Sequence, residues 1–281
     1  MLKKYKVIGF PIGHSMSPFI HKELFGLKNI EVEYEKLEID PANLKSDFER
    51  ELKVLDGFNI TIPHKVAIID FLDEIDSVAV EYGAVNTVVR RDGKYYGYNT
   101  DAYGFLKGLE FSNIPLKGKV LVYGFGGAAR TIITECLKAG CDVSVGTSSE
   151  RMKKASDVIK ELEDKGGKKI RLVSNEQITE KYDLFINTSP IGMYPNIGIS
   201  PIRDEQIELF DYVYDIVYNP QDTELLKLAK EKGKVCGGGL SMLVCQAEKA
   251  HTIWYGAEFS EEETERVIAA AAREMKEVFG V

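Results

Sequence analysis

Lys65 closes the run Asn59-Ile60-Thr61-Ile62-Pro63-His64-Lys65, in which polar and apolar side chains alternate as along a half-buried strand before Pro63 opens a helix. A lysine in that first turn faces the positive end of the helix dipole, which favours release of its proton and suits the amine to acid/base work. Asp101, in Asn99-Thr100-Asp101 ahead of Ala102-Tyr103-Gly104, has two readings. It caps the helix that follows, or it approaches Lys65, favours the ammonium and aims it as proton donor to a carbonyl becoming an alcohol. Ser15-Met16-Ser17 lies between a strand and a helix, where two hydroxyls and free amides could hold a carboxylate. Ser17, directly before Pro18, also reads as a plain N-cap, with Ile20, Leu24 and Leu27 sharing one face of the helix behind it. Asn86 interrupts an otherwise apolar strand and offers an amide to a polyhydroxylated ligand. His64, the rival base, points to a different face from Lys65 and reads as structural.

A second constellation follows the strand Lys119 to Tyr123. Gly124-Phe125-Gly126-Gly127-Ala128-Ala129 fits G-x-G-x-x-G/A and opens a helix that Gly140 stops. Gly124 permits the tight turn, Gly126 lets the backbone approach a pyrophosphate, and Ala129 allows close packing of helix on strand. With a strand before it and a helix and strand after it, the motif points to a dinucleotide. About twenty residues on, an acidic side chain would hold a free ribose 2′-hydroxyl. Val145-Gly146-Thr147-Ser148-Ser149-Glu150-Arg151 carries small hydroxyls and a cation there instead, so the reading leans to a 2′-phosphate and NADP, with NAD the alternative. Thr147 and Glu150 also fit a capping box.

Placing these groups requires parallel strands whose ends carry loops. Strand-like runs fall at 5–10, 32–39, 57–62, 85–90, 119–123, 142–145, 170–173, 183–187 and 212–217, with helical patterns between most of them. The alternation predicts an α/β protein. Asp92-Gly93 reads as a hairpin turn, and Ser260 with Glu263 as the capping box of a last helix whose apolar face includes Ile268, Ala271, Met275 and Val278. At 281 residues the chain suffices for about two domains, with Ser112 to Gly118 as the linker candidate and Phe105 to Leu109 as a helical alternative. The 44% hydrophobic and 28% charged composition excludes a mostly disordered chain and a multi-span membrane protein. Net charge is 36 − 44 = −8, which speaks against nucleic-acid binding and obliges any anionic ligand to be held by local groups. Cys136, Cys141, Cys236 and Cys245 form no CxxC and have no histidine at zinc spacing, so no metal site is expected and a reducing, cytoplasmic setting is.

Taken together, the motifs resemble the shikimate dehydrogenase family from about Gly9 to Gly256. Ser15-Met16-Ser17-Pro18 is similar to the family's Ser-x-Ser-Pro, Asn59 to Lys65 to its Asn-x-Thr-x-Pro-x-Lys, Gly83 to Thr87 to its Gly-Ala-Val-Asn-Thr, and Asn99 to Gly104 to its Asn-Thr-Asp-x-x-Gly. Asn187 to Met193, Asp215 to Pro220 and Met242 to Ala247 agree with later signatures. The resemblance implies NADP-linked, reversible reduction of 3-dehydroshikimate to shikimate in aromatic amino acid biosynthesis. It implies Lys65 and Asp101 as the catalytic pair, Ser15 and Ser17 on the substrate carboxylate, and Thr61, Asn86, Asp101, Tyr218 and Gln246 on its ring hydroxyls. Gly124, Phe125, Gly126, Gly127, Ala128, Thr147, Ser148, Arg151, Thr188, Ile216 and Gly239 correspond to cofactor positions.

The implied architecture is an α/β substrate domain with a mostly parallel sheet over 1–103, a Rossmann-type nucleotide domain over 104–239, and helices over 240–281 that return to the first domain. Three departures stand out. Gly146, Thr147 and Ser148 occupy the family's usual Asn-Arg-Thr, Phe125 replaces a small residue of the glycine loop, and Ser241 replaces a glycine. A quinate or mixed quinate/shikimate enzyme using NAD is the nearest rival, against which the two serines count. A folate-type methylene dehydrogenase lacks the Ser-x-Ser-Pro and Asn-Thr-Asp clusters, and a non-catalytic nucleotide-binding regulator would not need Lys65 and Asp101. The small-molecule substrate is the one partner called for, no membrane contact is expected, and a homodimer is left open.

Overall fold

The computed structural model describes residues 2–280, which form two compact units: 2–104 with 243–274, and 105–242 with 275–280. Twelve strands are described, β1 (Lys3–Gly9), β2 (Val32–Glu38), β3 (Gly57–Ile60), β4 (Glu74–Ile75), β5 (Thr87–Arg91), β6 (Lys94–Tyr98), β7 (Lys119–Tyr123), β8 (Asp142–Thr147), β9 (Arg171–Ser174), β10 (Tyr182–Asn187), β11 (Phe210–Asp215) and β12 (Val235–Gly238). The α-helices are α1 (Ser17–Leu27), α2 (Leu44–Asp47), α3 (Ser77–Tyr82), α4 (Asp101–Phe111), α5 (Gly127–Lys138), α6 (Met152–Gly166), α7 (Glu224–Glu231), α8 (Gly239–Tyr255) and α9 (Glu261–Phe279).

The first sheet runs β2-β1-β3-β5-β6-β4, parallel at β1/β2, β1/β3 and β4/β6 and antiparallel at β3/β5 and β5/β6. Asp92 (φ 51°) and Gly93 (φ 79°) both take the left-handed conformation that a two-residue hairpin turn demands, so Arg91 pairs Lys94. The second sheet runs β12-β11-β10-β7-β8-β9 and is parallel throughout, the order of a doubly wound dinucleotide fold. Alternation sorts its side chains. Val120 and Val122 of β7 and Leu184 and Ile186 of β10 pack with Ile132, Ile133 and Cys136 of α5, while Leu121, Tyr123 and Phe185 pack with Leu225, Leu226 and Ala229 of α7. A sheet buried on both faces explains why its strands read as continuous apolar runs.

Several expected boundaries move. β12 was not anticipated, because Val235-Cys236-Gly237-Gly238 carries little strand propensity and is recruited by pairing to β11. The capping box forms, Glu263 N donating to Ser260 Oγ and Ser260 N to the Glu263 carboxylate, but α9 buries Val267, Ala271 and Met275 and leaves Val278 exposed. The Thr147–Glu150 box does not form; Ser148 precedes a 3-10 turn (Ser149–Arg151) without a side-chain cap. The four cysteines are free thiols, and no helix among the described residues is long and apolar enough to cross a membrane.

In the first unit α1 and α8 meet through aromatic rings. His21 and His251 stack with centroids 5.1 Å apart, and His21 Nδ1 lies 3.0 Å from His251 Nε2. Burial pushes both imidazoles below their ordinary range, His251 to about 3. The unfolded chain takes up protons below about pH 6.5 while the folded pair stays neutral, so the stability it contributes is complete above that pH and is withdrawn as pH falls. We therefore expect His251→Leu to cost about 2 kcal/mol less at pH 5 than at pH 7 in urea unfolding. Equal costs at both pH values would mean that the folded pair already carries a proton.

Candidate functional site

In the first unit the polar side chains gather where β1, β3 and the start of β5 end and α4 begins. Lys65 Nζ donates to Asp101 Oδ2 at 2.6 Å, and Asn86 Nδ2 donates to Asp101 Oδ1 at 2.8 Å. Asp101 is 4% exposed, so both carboxylate oxygens are matched away from water, as a buried charge requires. The carboxylate is not the helix cap; Asn99 Oδ1 accepts from Asp101 N instead, leaving the acid for the lysine.

Lys65 reaches this place by a different route from the expected one. No helix starts at Pro63: residues 62–66 form turns, and a 3-10 helix begins only at Ala67. The carbonyl of Lys65 accepts from Val85 N at 2.8 Å, so it is not available to continue a helix. The dipole argument lapses, and the ion pair is what holds the amine. His64 is buried with Nε2 2.7 Å from the Ile39 carbonyl, a structural role as expected.

Asn86 stands just before β5 rather than inside a strand, yet it is hydrogen-bonded on both sides, Asn86 N to Tyr98 O and Ile60 N to Asn86 O. Its amide is fully employed. Oδ1 accepts from Thr100 N at 2.8 Å and from Thr87 Oγ1 at 3.1 Å, and Nδ2 also reaches Thr100 Oγ1 at 3.0 Å and Gln246 Oε1 at 3.5 Å. Upstream, Tyr34 Oη donates to Asn59 Oδ1, and Asn59 Nδ2 to Thr87 Oγ1. Tyr34, Thr87 and Thr100 escaped the sequence reading; Tyr34 lies in the largely charged strand β2 and Thr100 between β6 and α4, so no local pattern marked them.

Ser17 is the first residue of α1 and not its cap, which falls at Met16 without a side-chain bond. Ser15 Oγ accepts from Ser17 N at 3.3 Å, and the Ser17 hydroxyl makes no hydrogen bond among the described residues. The loop carrying the serines is tied down from β2, also unanticipated: Ile12 N donates to Glu38 Oε2 at 3.0 Å and Lys36 Nζ to Gly13 O at 2.7 Å. Thr61 lies beside it, since Thr61 N donates to Ile8 O and a Cβ on Gly9 would come within 2.5 Å of Thr61 Cγ2. Ser15, Ser17, Thr61, Lys65, Asn86, Asp101 and Gln246 all belong to the first unit, whereas Tyr218, half-buried after β11, belongs to the second.

In the second unit, the residues expected to meet a dinucleotide gather around the carboxyl ends of its strands. Gly124 follows β7 at φ 118°, where a Cβ would lie 2.5 Å from Thr188 Oγ1. Gly126 caps α5 with no side-chain bond, and a Cβ placed there would meet no atom within 4 Å, so its backbone is open to a ligand. Thr188 donates to Tyr123 O through both N and Oγ1, and Ile216 N donates to Asn187 O. Gly239 opens α8 so close to Ile216 O that a Cβ would sit 2.0 Å away. Asp215 orders this edge: it accepts from Asn187 Nδ2, Val217 N and Thr223 Oγ1, and burial nonetheless pushes its carboxyl up to about 7. The uncapped first turn of α5 and the glycine-lined approach at Gly126 fit a dinucleotide's pyrophosphate. Among the described residues no cluster of metal-ligating side chains occurs.

Residues 7–88 match the family model described as shikimate dehydrogenase substrate binding domain. A shikimate dehydrogenase (NADP(+)) from Geobacillus kaustophilus is 37% identical over 260 residues, covering 91% of this chain and 94% of the relative. The chain belongs to the shikimate dehydrogenase family. Among solved structures of the family, shikimate dehydrogenase 1 from Peptoclostridium difficile superposes with a TM-score of 0.87 at 33% identity, covering 98% of this chain and 99% of that one. The enzyme from Thermus thermophilus, in complex with NADP(H) and shikimate, gives a TM-score of 0.83 at 32% identity over 96% of this chain and 100% of that one.

The backbone approach at Gly239 makes a steric prediction. Gly239→Ala must displace the Ile216 carbonyl, and we expect a loss of about 1–3 kcal/mol in unfolding experiments together with weaker NADP binding. A variant as stable as the parent would show that the approach is not a constraint.

Proposed function

We propose that this chain catalyses the NADP-dependent, reversible reduction of 3-dehydroshikimate to shikimate, a step of aromatic amino acid biosynthesis. The observation that carries the reading is the Lys65–Asp101 pair at 2.6 Å, nearly buried and backed by Asn86. When bound, the nicotinamide supplies the hydride to the carbonyl carbon or accepts it back. Lys65, as the ammonium, then delivers a proton to the carbonyl oxygen, and in the reverse direction the neutral amine takes it from the hydroxyl. Asp101 fixes the direction of the amine, Asn86 fixes Asp101, and Thr100 fixes Asn86.

In this reading Ser15 and Ser17 bind the substrate carboxylate, supported by the uncommitted Ser17 hydroxyl and by the anchoring of their loop to Glu38 and Lys36. Thr61, Gln246 and Tyr218, with Asn86 and Asp101, address the ring hydroxyls; Asn86 would trade one of its internal hydrogen bonds for each one it makes to substrate. Groups built to hydrogen-bond hydroxyls reject analogues that lack them, because the buried partners are then left unpaired. Gly124, Gly126, Gly127 and Ala128 with the amides of α5 would take the pyrophosphate, Thr188, Ile216 and Gly239 the nicotinamide half, and Phe125, Thr147, Ser148 and Arg151 the adenosine half. The four free thiols suit a reducing compartment such as the cytoplasm.

Purified protein given 3-dehydroshikimate and NADPH is expected to consume the cofactor, followed by its absorbance, and absence of oxidation with both NADPH and NADH would sink the proposal. Lys65→Ala is expected to lower kcat by about 10²–10⁴-fold while leaving the NADP dissociation constant within about twofold of the parent. Unchanged turnover would remove the acid/base role from Lys65.

A further inference from the structure

At the ribose end of the dinucleotide site, β8 finishes in Thr147 and the next turn in Arg151. The Arg151 guanidinium lies over the ring of Phe125, Cζ 4.7 Å from its centroid. Phe125 is the second residue of the glycine loop, so the segment that would meet the pyrophosphate and the segment that would read the ribose touch through this cation–π contact. Arg130 and Arg171 in the same unit are paired to Glu161 and Glu180. Arg151 has no carboxylate partner among the described residues, and the neighbouring Glu176 carboxylate accepts from Ser149 Oγ instead.

A guanidinium held over a ring by its charge need not give up an N–H donor to a carboxylate, so those donors stay available for phosphate oxygens. The ring also restricts a long, exposed side chain that would otherwise be ordered only when the ligand arrives. We propose that Phe125 is the positioning residue for recognition of a phosphate monoester on the adenosine ribose, holding Arg151 so that one arginine suffices. This rests on the NADP reading above and adds to it the residue that makes a single cation competent. An exposed cation–π contact translates into about a two- to fivefold effect on affinity.

The test is calorimetric titration of the full chain with adenosine 2′,5′-bisphosphate and with 5′-AMP, which differ by the 2′-phosphate alone. The parent is expected to prefer the bisphosphate. Phe125→Leu and Phe125→Met keep an apolar side chain without a π-face and are expected to narrow that preference by about two- to fivefold. Phe125→Trp is expected to preserve the preference, and Arg151→Gln to abolish it. Leu and Met variants with the parent's ratio of affinities, or a loss equal for both probes, would overturn the role of Phe125. A parent that does not distinguish the two probes would instead overturn the NADP reading at this end of the site, and the inference with it.

Discussion

The carboxylate of Asp101 is the constraint around which the first unit is arranged. Removing a charge from water is expensive unless every oxygen finds a partner, and here one oxygen takes Lys65 Nζ and the other Asn86 Nδ2. Asn86 can serve only because its own carbonyl is occupied by Thr100 N and Thr87 Oγ1, and Thr87 in turn accepts from Asn59, which Tyr34 orients. Lys65 can serve only because its backbone carbonyl is engaged by Val85 N, which keeps the segment out of a helix and the side chain pointed at the acid. The Lys65 amine is thereby the terminus of a hydrogen-bonded chain reaching back to β2. A fully satisfied network of this kind is rigid, and breaking one link leaves a buried group unpaired.

In the proposed reading the second unit would meet the dinucleotide with backbone more than with side chains. Glycine at 124 and 239 lets two chain segments approach a threonine hydroxyl and a carbonyl more closely than any Cβ would allow. Asn187 and Asp215 bridge the ends of β10 and β11 and so hold Thr188 and Ile216 in register. A chain of net charge −8 repels anions at long range. In the proposed reading, capture of a pyrophosphate and a carboxylate would therefore depend on short-range donors: amides at the start of α5, serine hydroxyls at the start of α1, and the cations Lys65 and Arg151.

Much of this was legible in the residues. Strand β7 and the glycine loop were readable because an apolar run of strand length, followed by glycines and an apolar helix face, has few other solutions. The hairpin at Asp92-Gly93 was readable because only such residues take both left-handed positions without strain. Recognition of the family followed from polar clusters in a fixed order. Less readable were the parts set by a competing partner. Pro63 signalled a helix that the Val85 hydrogen bond pre-empts, Ser17 signalled a cap whose hydroxyl goes unused, and Val235 to Gly238 became a strand only because β11 offered it a ladder.

By itself, then, the sequence determined the types of group present, their order and the local elements that carry them, since propensity, turn chemistry and hydrophobic period act over a few residues. That Asp101 meets Lys65 and does not cap α4, that Asn99 satisfies the start of that helix, that Glu38 and Lys36 anchor the serine loop, and that Phe125 lies under Arg151 were decided only by tertiary structure. Most of these contacts join residues tens of positions apart, and their energies depend on burial and on which donors remain unclaimed once the backbone has paired. A linear pattern carries neither quantity.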